Sequence, residues 1–152
     1  IVLVADDEPS MLSLVSQHVE NLGHQVHIAH DGEEAWKAAQ AYHPDLVILD
    51  VMMPAMSGWE VCRKIRESSL FTSTGIIMLT GIGEKLNELT SPLFGADAYL
   101  DKPFELPALD AAIHHVLTLR RAKQAAEEGA TTGTRRASVR PKGAGAPDST
   151  EQ

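Results

Sequence analysis

Along the first 119 residues, short apolar runs alternate with longer stretches in which apolar residues recur every three or four positions. Ile1 to Ala5, Leu46 to Leu49 and Ile76 to Leu79 are apolar throughout, as a strand covered on both faces requires. Val26 to Ala29 and Ala98 to Leu100 are shorter runs that complete a set of five strands. Between the first two, Pro9 sits where a first helical turn tolerates it, Leu12, Val15, Val19 and Leu22 recur at helical spacing, and Gly23 closes the segment. Asp31 caps a second helix that carries Glu33 and Glu34 in its first turn and stops before Pro44. Ser57-Gly-Trp-Glu60 has the spacing of a capping box and opens a third helix to about Arg66. Pro92 limits the helix between strands four and five to about Ser91. Leu106, Leu109, Ile113 and Val116 mark the inward face of a last helix, which runs to about Leu119, with room to extend to residue 128 before Gly129 stops it.

Strands alternating with helices predict an α/β fold, a doubly wound five-stranded parallel sheet with right-handed crossovers, two helices on one face and three on the other. Sheets of this kind take strand orders such as 2-1-3-4-5 and bind ligands outside the carboxyl ends of the strands. Four of the five strands end in residues able to do chemistry: Asp6-Asp7, Asp50, Thr80 and Asp101-Lys102.

The chain of 152 residues suffices for one core of ordinary domain size. Beyond Leu119, Ala, Gly, Thr, Arg, Pro and Ser dominate and Val139 alone represents the large aliphatics, so 129–152 is expected to be a disordered tail or linker. Charge divides the same way: residues 1–119 hold 6 Lys/Arg against 17 Asp/Glu, net -11, and residues 120–152 hold 7 against 4, net +3. An acidic body repels nucleic-acid phosphates and suits a divalent cation. The tail cations, among them Arg120, Arg121, Lys123, Arg135 and Arg136, are interrupted by Glu127 and Glu128 and read as a solubilising linker. With the single Cys62 and neither an 18-residue apolar run nor a leader, the chain reads as a soluble cytoplasmic protein, and Ile1, already inside a strand, implies that a few residues precede it.

Strands one and three are neighbours in the 2-1-3-4-5 order, so Asp6, Asp7 and Asp50 converge on one point. Three carboxylates repel one another unless a hard cation neutralises them, and Mg2+ characteristically takes one or two carboxylates together with phosphate oxygens. Thr80 offers a hydroxyl and Lys102 an ammonium, the groups that a bound phosphoryl needs. Each feature has a plainer reading alone, Asp6-Asp7 as a helix cap and Lys102-Pro103 as a turn; their weight comes from the shared sheet edge. The seven histidines show no ligand spacing, and Cys62 reads as packing.

Asp6-Asp7, the run Val47-Ile-Leu-Asp50-Val-Met-Met-Pro54, Ser57-Gly58, Thr80 and Gly95-Ala-Asp-Ala-Tyr-Leu-Asp-Lys-Pro-Phe104 together resemble the receiver domain of bacterial two-component response regulators, over residues 1 to about 119. The resemblance implies a flavodoxin-like receiver fold in which Asp50 accepts a phosphoryl group from a sensor histidine kinase or histidine phosphotransfer protein. It implies Asp7, Asp50 and the backbone carbonyl of Met52 as Mg2+ ligands, with Asp6 acting through water. Lys102 then pairs with the phosphoryl oxygens, Thr80 shifts toward them and Tyr99 turns inward behind it. The output face is strand five with the helices on either side of it, used by a monomer or a dimer. Such a chain is a signalling switch, catalysing only its own phosphoryl transfer and dephosphorylation.

Several positions depart from the family's commonest pattern. Gly81 stands where Ala is frequent, loosening the loop after strand four. Met52 and Ile82, two residues beyond Asp50 and Thr80, are apolar and imply slow loss of the phosphoryl group. Ala98 and Leu109 stand where the winged-helix branch places Asp and a basic residue, which argues against that branch's dimer. Two rivals fit less well. A haloacid-dehalogenase-like phosphatase needs an Asp at position 52, and a phosphorylation-independent protein-binding module normally lacks an Asp, Thr or Lys that is present here.

Overall fold

A computed structural model describes residues 1–81 and 95–139, the side chains of 130–139 excepted. Its strands are β1 (Val2–Ala5), β2 (Val26–Ala29), β3 (Leu46–Asp50), β4 (Gly75–Thr80) and β5 (Ala98–Asp101); its α-helices are α1 (Pro9–Asn21), α2 (Gly32–Tyr42), α3 (Gly58–Glu67) and α4 (Leu106–Val139). A 3-10 turn spans Ser69–Phe71. The sheet is parallel in the order β2-β1-β3-β4-β5, as expected. Residues 1–120 and 121–152 form two units, the first holding the sheet and the second entered by α4.

Strand periodicity sorts the core into two layers. Leu3, Val47, Leu49, Ile76 and Met78 point to one face, where Ala35 and Ala39 of α2 and Val61, Cys62 and Ile65 of α3 cover them with Phe71. Val2, Val4, Leu46, Ile48, Ile77 and Leu79 point to the other, under Leu12, Val15 and Val19 of α1 and Leu109, Ile113 and Val116 of α4. Burial pushes the Cys62 thiol up to about 12, so it serves as packing at neutral pH. Caps form where the sequence placed them. Asp31 accepts from the Glu34 amide, and Ser57 and Glu60 make the reciprocal capping box.

Two expectations need correction. Leu22 is 45% exposed: as the C-cap of α1 it keeps a helical conformation, with its amide on the His18 carbonyl, but its side chain is not covered by the core. Leu109, by contrast, is fully buried, as a position on the inward face of the last helix should be. Gly129 does not stop α4, which runs on to Val139; one glycine costs a helix only about 1 kcal/mol, and the helix formers Ala125 to Glu128 and Ala130 surround it. Residues 140–152 lie outside the described residues. So do Ile82 and Pro92, and with them the helix expected between β4 and β5.

The entry into β5 is held by a side chain that local patterning does not single out. Arg66, at the end of α3, donates 2.7 Å hydrogen bonds to the carbonyls of Gly95 and Thr74 and to Asp97, whose carboxylate also accepts from the Ile76 amide at 2.8 Å. Both charged side chains are largely buried, at 20% and 12% exposure. Replacing Arg66 with Met strands Asp97 and two carbonyls, and is expected to lower the unfolding free energy by about 3 kcal/mol. Urea denaturation checks this. A loss below about 1 kcal/mol, typical of an exposed ion pair, would sink the assignment.

Candidate functional site

Register assembles the site. Ala5 lies opposite Leu49, so the next residues, Asp6 and Asp50, emerge side by side at the carboxyl edge of the sheet. Thr80 lies opposite Asp101 at the same edge, and the Lys102 amide donates to the Thr80 carbonyl at 2.7 Å, which places Lys102 facing β3 across β4.

Asp6, Asp7 and Asp50 each present a carboxylate oxygen, and these three oxygens lie within 4.8 Å of one another. Asp6 and Asp50 are buried and Asp7 is exposed, so the cluster opens to solvent on one side. Lys102 Nζ lies 3.0 Å from Asp6 Oδ2 and 3.3 Å from Asp50 Oδ1. Asp6 also accepts from the Glu8 amide at 2.9 Å, which orients it at the start of α1. All-oxygen carboxylate donors with one open side fit a hard divalent cation and do not suit a soft one. Among the described residues no other group of three His, Cys, Asp or Glu side chains is placed to hold a metal.

The electrostatics follow from burial. Burial, then the neighbouring Asp6 charge, push the Asp50 carboxyl up from 3.8 to about 6, with Lys102 opposing them. Burial alone would lower Lys102, but its hydrogen bond to Asp6 and the charges of Asp50 and Asp6 hold it above its ordinary value. Because the fold binds the Asp50 proton more tightly than the unfolded chain does, this group erodes stability as pH rises from about 4 to about 6 and leaves a constant deficit above that. Asp50→Asn is therefore expected to raise metal-free stability at pH 7.5 by about 1–2 kcal/mol, a gain that fades below pH 4. Thermal melts at the two pH values check it, and a gain equal at both would point to a cause other than charge.

The loop from β3 to α3 is fixed by the Val51 amide on the Leu79 carbonyl at 3.0 Å and the Gly58 amide on the Val51 carbonyl at 2.9 Å. Ala55 within it adopts φ 67, a left-handed conformation that costs a non-glycine residue about 1 kcal/mol. Met52 is 67% exposed beside Asp50. Thr80 is fully buried, and Tyr99 is half-buried on β5 with its ring 6.0 Å from that of Trp59. Three features of the site lie outside the sequence expectations: the direct Lys102–Asp6 pair, Trp59 against Tyr99, and the approach of Gly58 to Asp50. The capping box fixes Ser57 and Glu60 and leaves the position of Gly58 free, so none of the three has a local signal.

The chain is similar to known proteins over the residues that form this sheet. Residues 2–114 match the family model described as response regulator receiver domain. The alkaline phosphatase synthesis transcriptional regulatory protein PhoP of Bacillus subtilis is 40% identical over 116 residues, 76% of this chain and 48% of that protein. Transcriptional regulatory protein TrcR of Mycobacterium tuberculosis is 38% identical over 116 residues, 76% of this chain and 44% of that protein. The chain thus spans about half the length of the curated relatives it matches. Among solved structures, chemotaxis protein CheY4 of Vibrio cholerae superposes with a TM-score of 0.71 at 35% identity, over 76% of this chain and 96% of that one. A CheY-like receiver domain protein of Methanospirillum hungatei gives 0.73 at 29% identity, over 80% and 96%. With its sheet order, its strand-end carboxylates and lysine, and these matches, the chain belongs to the response regulator receiver domain family.

Proposed function

We propose that the domain is a phosphorylation switch of the cytoplasm in which an Asp50 carboxylate oxygen attacks the phosphorus of a phosphohistidine on a sensor kinase or phosphotransfer protein. The P–N bond breaks as the P–O bond forms, the imidazole leaves and takes up a proton, and Asp50 carries an acyl phosphate. The observation that carries this reading is the convergence of Asp6, Asp7, Asp50 and Lys102 on one open point of the sheet edge. Asp7, Asp50 and the Met52 carbonyl would hold Mg2+, with Asp6 behind them. When bound, the ion neutralises the carboxylates and the incoming phosphoryl oxygens.

Lys102 leaves Asp50 to pair with a phosphoryl oxygen as the carboxylate charge is consumed, and the Thr80 hydroxyl hydrogen-bonds another. Movement of Thr80 opens space behind it that Tyr99 enters, altering the β5 face that a partner reads. Trp59, in ring contact with Tyr99, makes the switch visible as a fluorescence change. The chain is then a switch that catalyses only its own phosphoryl transfer and dephosphorylation. The exposed apolar Met52 side chain does not guide water to the phosphorus, so decay is slow.

The test is intact mass after incubation with Mg2+ and a small acyl-phosphate donor. Wild type gains one phosphoryl group that persists for many minutes, with a change in Trp fluorescence, and Asp50→Asn gains none. A wild type that neither binds Mg2+ nor takes up phosphate overturns the reading in favour of a protein-binding module independent of phosphorylation. A half-life of seconds overturns the role given to Met52.

A further inference from the structure

Away from the carboxylates, α2 and α3 border an open cavity of about 250 Å³. Trp36 and Gln40 of α2 line one side, Lys64 and Glu67 of α3 the other, and the buried Phe71 lies at its base, 6.0 Å from Trp36 in an edge contact. Leu70 forms its lip and is 70% exposed, more than any other large apolar residue among those described. Lys64 Nζ sits 5.8 Å from the Trp36 ring centroid.

The charge around this cavity differs from that of the rest of the body. Helices α2 and α3 carry four basic residues, Lys37, Arg63, Lys64 and Arg66, and four acidic ones, Glu33, Glu34, Glu60 and Glu67, a net of zero. That leaves 2 of the 6 Lys/Arg and 13 of the 17 Asp/Glu for the remainder of residues 1–119. With Arg66 committed to Asp97, a second copy approaching this face meets Lys37, Arg63 and Lys64 against Glu33, Glu34, Glu60 and Glu67, both signs in near balance around an apolar hollow.

We propose that the α2–α3 face pairs with the same face of a second copy across a twofold axis. Leu70 of each copy enters the other's cavity and lies on the Trp36–Phe71 edge pair, and Lys64 of each meets Glu67 of the other. An isologous contact requires that one patch carry both the projection and the hollow that receives it, and both signs of charge at the rim; this patch carries all four. Each helix is only about 16 Å long, so the patch falls short of the roughly 800 Å² per partner of a standard interface, and the pair is weak and concentration-dependent. It is separate from the β5 face and from Asp50, so its failure leaves the phosphorylation reading untouched, and the reverse also holds.

Sedimentation velocity of the full chain from about 10 µM to about 1 mM covers the range in which patches of this size associate. Wild type is expected to shift from monomer to dimer across that range. Leu70→Glu, a change at an exposed position that leaves the thermal melt in place, raises the dissociation constant at least tenfold. Lys64→Glu weakens the pair, and the charge-swapped Lys64→Glu/Glu67→Lys variant restores it to within a few-fold of wild type. A monomer throughout, a dimer indifferent to Leu70→Glu, or a double variant no better than Lys64→Glu would each overturn the proposal.

Discussion

Lys102→Met is expected to lower the unfolding free energy of the metal-free domain at pH 8 by about 3–5 kcal/mol, the range for removing one partner from a buried charge pair. Lys102 Nζ is 3.0 Å from Asp6 and 3.3 Å from Asp50, whose side chains are only 1% and 8% exposed. The Lys102 backbone bond to Thr80 survives the substitution, and methionine conserves much of the stem, so the change isolates the charge. Its pH dependence follows from two groups. The ammonium, held above 10.5, stays charged at pH 8, and its stabilisation disappears only in strongly alkaline solution. Asp50 already sits at about 6 with Lys102 opposing the rise, so without Lys102 it climbs further. The deficit is thus largest at pH 8, shrinks as pH falls through the raised Asp50 value and is smallest near pH 4. Urea melts at pH 8 and pH 5 measure it. An equal loss at both would mean that packing, not charge, is what Lys102 supplies. Millimolar Mg2+ should recover part of the loss at pH 8, because a bound cation neutralises the same carboxylates.

Gly58→Ala should be as damaging by a different route. A Cβ on Gly58 would stand 2.2 Å from the Asp50 carbonyl oxygen and 3.0 Å from Val51 Cα, both backbone atoms of the segment that presents Asp50. Neither can swing aside as a side chain would. Either α3 withdraws or the end of β3 moves, and we expect a loss of about 3 kcal/mol or more in stability. At a temperature where the variant remains folded, phosphoryl uptake should slow by about 100-fold, the scale for displacing a reacting group by an ångström. Unchanged uptake in a folded variant would mean that the close approach of α3 has no part in placing Asp50. Gly32 is a parallel case, since a Cβ there would lie 1.6 Å from the Met56 carbonyl oxygen on the same loop.

How far the site was legible depended on the distance over which each feature is encoded. Asp31 and Ser57 act on amides three residues away, so their caps could be read from spacing alone and formed as expected. Leu22 keeps the period of the apolar face yet is exposed, because periodicity marks a helix face without marking which of its turns the core covers. Gly129 does not end the helix because the helix-forming Ala125, Ala126, Glu127, Glu128 and Ala130 around it outweigh one glycine. Asp6, Asp50 and Lys102 were found through their strand-end positions, yet the Lys102–Asp6 bond joins residues 96 apart, and no local pattern distinguishes it from a lysine reserved for phosphate. Arg66 was invisible for the same reason: its acceptors lie 29, 8 and 31 residues away.

Side-chain periodicity and strand-end chemistry, both properties of the chain read in order, were enough to specify a five-stranded parallel sheet and to bring three carboxylates, a threonine and a lysine to one edge of it. They suffice because burial on a strand or helix repeats every 2 or 3.6 residues and is written in the residues themselves. Packing of one element on another settled the rest: which carboxylates Lys102 neutralises, why α3 must begin with glycine, where Tyr99 meets Trp59, and how α2 and α3 come to share a charge-balanced hollow. Those contacts depend on register and on the separation of elements in space, quantities to which every part of the chain contributes at once.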